Sequence, residues 1–318
     1  MRLLKLVPEN TNFQFQNLRF IAAGISVLLV VASIALVGIR GLNFGVDFTG
    51  GIVVEVGFNQ PPNLDQMRSR LNTLNLGDVS LQQFGGPTEV AIRLQQQPGG
   101  EAGQQTAVHT VEDALHAEYG KDKVTVRRVE TVGGKVSAEL VRTGALSIGL
   151  AMLAISLYIW LRFEWQFGVG ALLSLIHDVA ITMGFFALTQ LEFNLNIVAA
   201  ILTIVGYSLN DTIVTYDRIR ENLRKYRKMD IIPLLDLSVN ETLSRTIMTS
   251  LTVTLALLAL VVFGGEVIRG FTIAMTLGVL IGTYSSIYIA APMLIWMKVG
   301  PDSFIQKDDG SKAEKVGA

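Results

Sequence analysis

Four ionisable residues lie inside stretches of this chain that are otherwise apolar: His177 and Asp178 side by side, Asp211, and Arg245. A charge near the centre of a bilayer costs about 3 kcal/mol on insertion scales, so each such residue is a functional candidate by default. Carboxylate, imidazole and guanidinium together suit one kind of chemistry, the taking and releasing of a proton beside a fixed positive charge. Thr203, Tyr207, Asp211 and Thr215 recur every four residues and so share one helical face. Arg245, Thr249 and Thr252 share another, and if these helices run antiparallel Asp211 and Arg245 sit at matching depths. Two readings fit this pattern. The pair is either a static ion pair locking a bundle, or a titrating site.

The elements that would hold these residues follow from composition. Half of the 318 residues are hydrophobic and 17% are charged, a shift toward lipid relative to an ordinary soluble domain. Absence of cysteine rules out disulfides, thiolate metal sites and a cysteine nucleophile. The three histidines, His109, His116 and His177, are scattered, so no histidine metal cluster is expected. The residues suggest no enzyme and no cofactor; protons are the only coupling ion implied.

About 20 apolar residues cross a hydrocarbon core of ~30 Å. Six runs meet that length, at 20–39, 143–161, 167–188, 195–216, 244–264 and 270–297. The first is too long for a signal-peptide core and reads as a retained anchor. Basic residues concentrate in 1–19, in 217–243 (Arg218, Arg220, Arg224, Lys225, Arg227, Lys228) and in the tail 298–318 (Lys298, Lys307, Lys312, Lys315). With six spans these segments share one side, taken as cytoplasmic by the positive-inside rule, and both termini lie there. Segment 217–243 is expected to be a basic loop, and the polar tail from about Gln306 to be disordered. Its charges suit anionic lipid more than a ribosome or translocon contact. Trp160 and Trp165 read as interfacial anchors.

Residues 40–142 then form an exported α+β domain. Strand patterns at 51–58, 79–84, 90–94 and 124–129 alternate with helical spacing at 64–76 and 107–119, the βαββαβ order of a ferredoxin-like fold. The Gln-rich stretch 95–105 reads as a loop. Asp47 stands at the outer mouth, where it could guide protons, and Thr49, Gly50 and Gly51 suit a tight turn hinging the domain onto the first span. Span six carries small residues every fourth position: Gly270, Ala274, Gly278, Gly282, Ser286 and Ala290. Such a face suits close helix packing, here within the bundle.

These residues carry a resemblance. The segment Leu42 to Gly51 (LNFGVDFTGG), the run Arg162 to Trp165 with His177-Asp178, Gly206 to Thr212 (GYSLNDT) followed by Tyr216 to Asn222 (YDRIREN), Thr242 to Thr246, and Gly282 to Ser286 resemble the ordered motifs of the SecF family of protein-export membrane proteins. That family is one half of the SecDF complex in the resistance-nodulation-division superfamily. One departure is Gly134, where the family usually has proline. The resemblance implies a proton-motive-force-driven auxiliary of the Sec translocon, with Asp211 as titrating carboxylate, Arg245 as its charge partner, Asn210 bonding either carboxyl form, and His177 or Asp178 extending the wire. At most one of those two neighbours need face inward. Implied partners are a six-span SecD half, the SecYEG translocon, unfolded exported polypeptide and membrane lipid, with YajC and the YidC insertase as further candidates and no nucleic acid. A passive scaffold between translocon and insertase, or a small-molecule or lipid exporter of the superfamily, are the alternatives.

The topology is directly testable, since the chain has no native thiol. Cysteines introduced at Gln96 and Gly310 are expected to label from opposite sides of the membrane in intact cells, Gln96 from outside. Labelling of both from one side overturns the six-span reading.

Overall fold

The computed structural model describes residues 11–300 except Asp78, so the first ten residues and the tail beyond Gly300, with the expected disorder from Gln306, lie outside the described residues. Helix α1 (Arg19–Arg40) leads through a short helix α2 (Val46–Thr49) into the α+β domain: β1 (Gly51–Phe58), α3 (Leu64–Asn72), β2 (Val79–Gln83), β3 (Glu89–Leu94), α4 (Gly100–Tyr119) and β4 (Val124–Val132). The remaining helices are α5 (Gly134–Arg162), α6 (Trp165–Thr189), α7 (Leu195–Lys225), α8 (Ile231–Phe263), α9 (Glu266–Ser285) and α10 (Ala291–Trp296), the last two joined by a π turn at Ser286–Ala290. Among the described residues six helices are long and apolar enough to cross a membrane, with α9, the π turn and α10 together making the sixth.

The domain's sheet is antiparallel in the order β2-β3-β1-β4, the split βαβ arrangement. Ile52, Val54, Val56 and Phe58 alternate toward a core shared with Met67 and Leu71 of α3 and with Val111 and Leu115 of α4. On the opposite face Val53 and Ala91 pack on Val46 of α2, so β1 is covered on both sides. Helix α4 begins at Gly100, so the expected loop at 95–105 is half helix. Gly99 and Gly100, both with positive φ, make a sharp entry that the Gly-Gln composition had disguised.

In the bundle, α6, α7 and α9 are central, with about half of each apolar window buried, against under a fifth for α1, α5 and α8. The outer three expose rows of Leu, Ile, Val and Phe, as lipid contact requires. The small residues of span six face α7. Gly278 lies directly on Ile204, and a methyl at Gly282 would sit 3.0 Å from Ser208 Cβ. Gly184 of α6 meets Ser33 of α1 in the same manner.

Three helices outrun their spans: α5 starts at Gly134, nine residues before the expected 143, and α7 and α8 are longer still. At 1.5 Å per residue α7 is about 46 Å long and α8 about 50 Å, against a core of ~30 Å. The expected loop 217–243 is therefore helical except for 226–230. The protruding turns are tied by Arg218 to Glu241 (2.7 Å), by Asn222 to Glu241 (2.7 Å) and by Asn222 to Ser238 (3.0 Å). The chain before α1 is pinned to the same end of α8, where the Phe13 and Gln16 amides donate to Asn240 and Asp236, each at 2.9 Å.

Overpacking the α7–α9 contact is expected to be costly. Gly278→Leu must displace Ile204 and should destabilise by about 1–3 kcal/mol, whereas Gly149→Leu on open α5 surface should be neutral. Thermal melting in detergent measures both, and equal melting temperatures would refute this packing.

Candidate functional site

Asp211 is buried in α7 with 3% of its surface exposed. Its carboxylate has one hydroxyl donor, Ser250 of α8, at 3.5 Å. That hydroxyl also lies 2.7 Å from Thr283 of α9, while the Tyr207 hydroxyl donates to Ser250 at 3.4 Å. Thr283 itself donates to the Val279 carbonyl (2.9 Å), leaving Ser250 one proton to divide between Thr283 and Asp211. Donors at this carboxylate are scarce.

Asp178 of α6, 1% exposed, is the opposite case. Its Oδ1 lies 2.8 Å from His177 Nδ1, and its Oδ2 accepts from Ser208 at 2.5 Å and from Ser285 at 2.8 Å. Ser174 donates in turn to Ser285 at 2.9 Å. Three donors from three helices hold it. His177 is also buried, against the expectation that only one of the pair need face inward, because α6 is central and has neighbours on more than one side. Its ring lies 6.1 Å from that of Tyr284, whose hydroxyl donates to the Ala22 carbonyl of α1 (3.0 Å); His177 Nε2 is buried without a hydrogen-bond partner.

The expected ion pair between Asp211 and Arg245 is open in this structure, with no salt bridge within 4.0 Å between them. Arg245 is exposed and lines an open cavity of about 390 Å³ with Val214, Asp217, Arg218, Glu221, Glu241 and Thr242. Asn210, one residue and about 100° from Asp211 around the helix, is exposed as well. With Thr203 and Gly206 of α7 and Thr252 of α8, Asn210 and Arg245 leave polar groups on the outside of the apolar bundle.

Asp47 has a role that spacing could not reveal. Its Oδ2 accepts the Leu195 amide at 2.9 Å, while Asn194 accepts the Asn196 amide at 3.1 Å, so the first turn of α7 has two side-chain acceptors. Backbone bonds from Gly45 to Phe193 and from Phe193 to Asn43, both 2.8 Å, lay this segment along the α6–α7 loop. Arg93 of β3 then joins the domain to that loop through Glu192 (2.6 Å) and to Asn43 (3.0 Å). Partial burial pushes the nearby Glu130 carboxyl above its ordinary range, opposed by Arg128 and reinforced by Asp47 and Glu192. Such a carboxyl binds its proton more tightly in the folded state, so its contribution to stability is present at low pH and lost as pH rises through the raised value.

Gly50 and Gly51 have φ of 70° and 118°, and a side chain on Gly51 would strike the Leu94 carbonyl. Thr49 closes the turn by donating to the Gly45 carbonyl at 3.1 Å. At the far end of the bundle the Tyr216 hydroxyl donates to the Ala290 carbonyl in the π turn (3.0 Å), in space that Gly170 leaves free. Ser286, in the same turn, donates to the Thr283 carbonyl at 2.9 Å.

Residues 111–300 match the family model of the C-terminal part of the protein-export membrane proteins SecD and SecF, and residues 35–62 match that of the SecD/SecF GG motif. The chain belongs to the SecD/SecF family. It is 46% identical over 291 residues to the protein translocase subunit SecF of Rickettsia rickettsii (strain Sheila Smith), covering 92% of this chain and 94% of that one. The same subunit of Rickettsia prowazekii (strain Madrid E) is 44% identical over 92% of this chain and 93% of its own. Among solved structures, SecDF of Thermus, a translocon-associated membrane protein, superposes with a TM-score of 0.84 at 34% identity over 92% of this chain. A super-membrane-facing form of SecDF gives 0.64 at 33% identity over 91% of this chain. The chain spans 40% and 39% of those two SecDF chains.

The GG-motif match coincides with the α2 turn described above, which gives the SecD/SecF motif a physical content here. Its aspartate, Asp47, accepts a helix amide and its glycines make the positive-φ entry into β1. Gly134, where the family resemblance implies proline, donates its amide to Gln96 at 3.1 Å, a bond proline cannot make. Asp47→Ala is expected to cost about 1 kcal/mol through loss of the cap on α7, and Asp47→Asn, which keeps an acceptor, markedly less. Thermal melting of the purified chain checks this, and equal losses for both variants would sink the capping role.

Proposed function

We propose that this chain is the six-span half of a proton-coupled auxiliary of the Sec translocase in the bacterial inner membrane. In this reading it pairs with a SecD-type half, contacts the SecYEG translocon, and acts on unfolded polypeptide on the outer side. The observation that carries it is the contrast between two buried carboxylates. Asp178 is held by three donors and would forfeit well-formed bonds on protonation, whereas Asp211 shares one distant hydroxyl. A buried carboxylate short of donors is the one that gains by taking a proton.

Arg245 supplies the alternative state. When its side chain turns inward the carboxylate is favoured; with Arg245 in the open cavity, as here, the buried carboxylate has no paired charge, and a proton neutralises it. Crossing 100 mV, a proton delivers about 2.3 kcal/mol, enough to bias a two-state helix arrangement roughly fifty-fold. The exposed Asn210 of α7 supports pairing, since an amide facing hydrocarbon would be costly without a polar partner surface. Asp47, engaged with the Leu195 amide, is a structural cap in this reading rather than a proton guide.

Asp211→Asn is the decisive variant. Its shape and hydrogen-bonding capacity persist while proton exchange does not, so proton flux in vesicles holding this chain and its SecD-type half should disappear at normal protein abundance. Arg245→Ala should abolish flux as well. Unchanged flux and unchanged export per molecule in Asp211→Asn would defeat the proposal and leave a passive scaffold; loss of the protein itself would assign the residue a structural role.

A further inference from the structure

At the end of the bundle where α5 meets α7, an open cavity of about 510 Å³ is lined by Arg162, Asp217, Arg220, Glu221, Arg224 and Lys225. Its charges do not cancel locally. Arg162 pairs with Asp217 (3.3 Å), Arg220 with Glu164 (3.5 Å), and Glu221 is taken by Arg218 (2.7 Å). Arg224 and Lys225 remain, both exposed, and neither has a carboxylate within 4.0 Å among the described residues. Arg220 Nε adds a buried donor without an acceptor.

The chain on either side of Arg162 carries exposed apolar side chains. Trp160 and Leu161, the two residues before Arg162, are 65% and 81% exposed on the outer surface of α5, and Trp165 is 57% exposed at the start of α6. Indole side chains in such positions mark the headgroup level of a bilayer. The cavity therefore presents the unpaired Arg224 guanidinium and the Lys225 ammonium, which lies 4.8 Å over the Tyr226 ring, close in sequence to the exposed apolar flank of α5 that ends at Arg162.

We infer that this cavity seats the phosphodiester of an anionic phospholipid, with Arg224 and Lys225 as the charge partners and the acyl chains against the exposed apolar flank of α5 at Trp160 and Leu161. Guanidinium groups suit phosphate oxygens through paired donors. Basic pockets between membrane helices on the positively charged side are a recurrent place for such headgroups. Lipid rather than soluble phosphate is favoured by the apolar flank, which a free anion would leave unused.

The test uses the full chain, delipidated in detergent and titrated with phosphatidylglycerol or phosphatidylcholine, with bound lipid counted by native mass spectrometry. Wild type should retain phosphatidylglycerol over phosphatidylcholine. At about fivefold per surface cation, the double variant Arg224→Gln with Lys225→Gln should cut that preference about twenty-five-fold. The neighbouring pair Arg227→Gln with Lys228→Gln, which removes equal charge outside the cavity, should keep most of it. The inference is overturned by equal retention of the two lipids in wild type, by equal losses in the two double variants, or by millimolar inorganic phosphate or an acidic peptide displacing the lipid.

Discussion

Hydrocarbon offers no water, so every polar group carried into the bilayer must find its partner within protein, and this requirement governs the bundle. Serine and threonine hydroxyls in α6 to α9 discharge it chiefly by bonding carbonyls of their own helix, as Thr182, Thr212, Thr272 and Thr276 do at about one turn. The few that reach across helices converge on the two buried aspartates. Ser208, Ser285 and Ser174 complete the shell of Asp178, which makes that carboxylate a rivet between α6, α7 and α9. Around Asp211 the supply falls short, and the same rule that makes one carboxylate structural leaves the other chemically unsettled.

Close packing makes this distribution possible. The small residues of span six bring α9 against α7, so that Ser208, beneath Gly282, and Ser285 meet the same carboxylate oxygen. A larger side chain at Gly278 or Gly282 would therefore disturb a polar network as well as a steric fit. The π turn serves a related end. Pro292 has no amide to donate, and the helix accommodates it with a wider turn just before it, where the Tyr216 hydroxyl supports the Ala290 carbonyl.

The six spans and the βαββαβ domain were legible because apolar length and alternation are local properties of sequence, and the strand at 51–58 was readable to the residue. Helix continuation past the membrane was not, since 217–243 was read for charge rather than for period. Arg218, Glu221 and Arg224 recur at helical spacing, a signal that was present. Asp211 stood out because charge is rare at depth. Its pairing with Arg245 could be guessed from matched depth, but a long side chain chooses between pockets by contacts that no spacing reveals, and here Arg245 lies beside Glu241 and Arg218 instead. Least legible were the bonds between distant segments, from Asp47 to Leu195 and from Arg93 to Glu192, where neither partner carries any mark of the other.

That bond between Asp47 and the Leu195 amide has a mechanical meaning. Helix α7 starts beneath the α+β domain and bears Asp211 sixteen residues later, about 24 Å down a rod that resists compression and extension. Arg93 and Glu192 clamp the domain to the same end of that rod, so α7 stands beneath the domain as a third strut beside α1 and α5, which carry the chain into and out of it. The clamp on the domain and the buried carboxylate thus lie on one continuous helix, with no hinge between them.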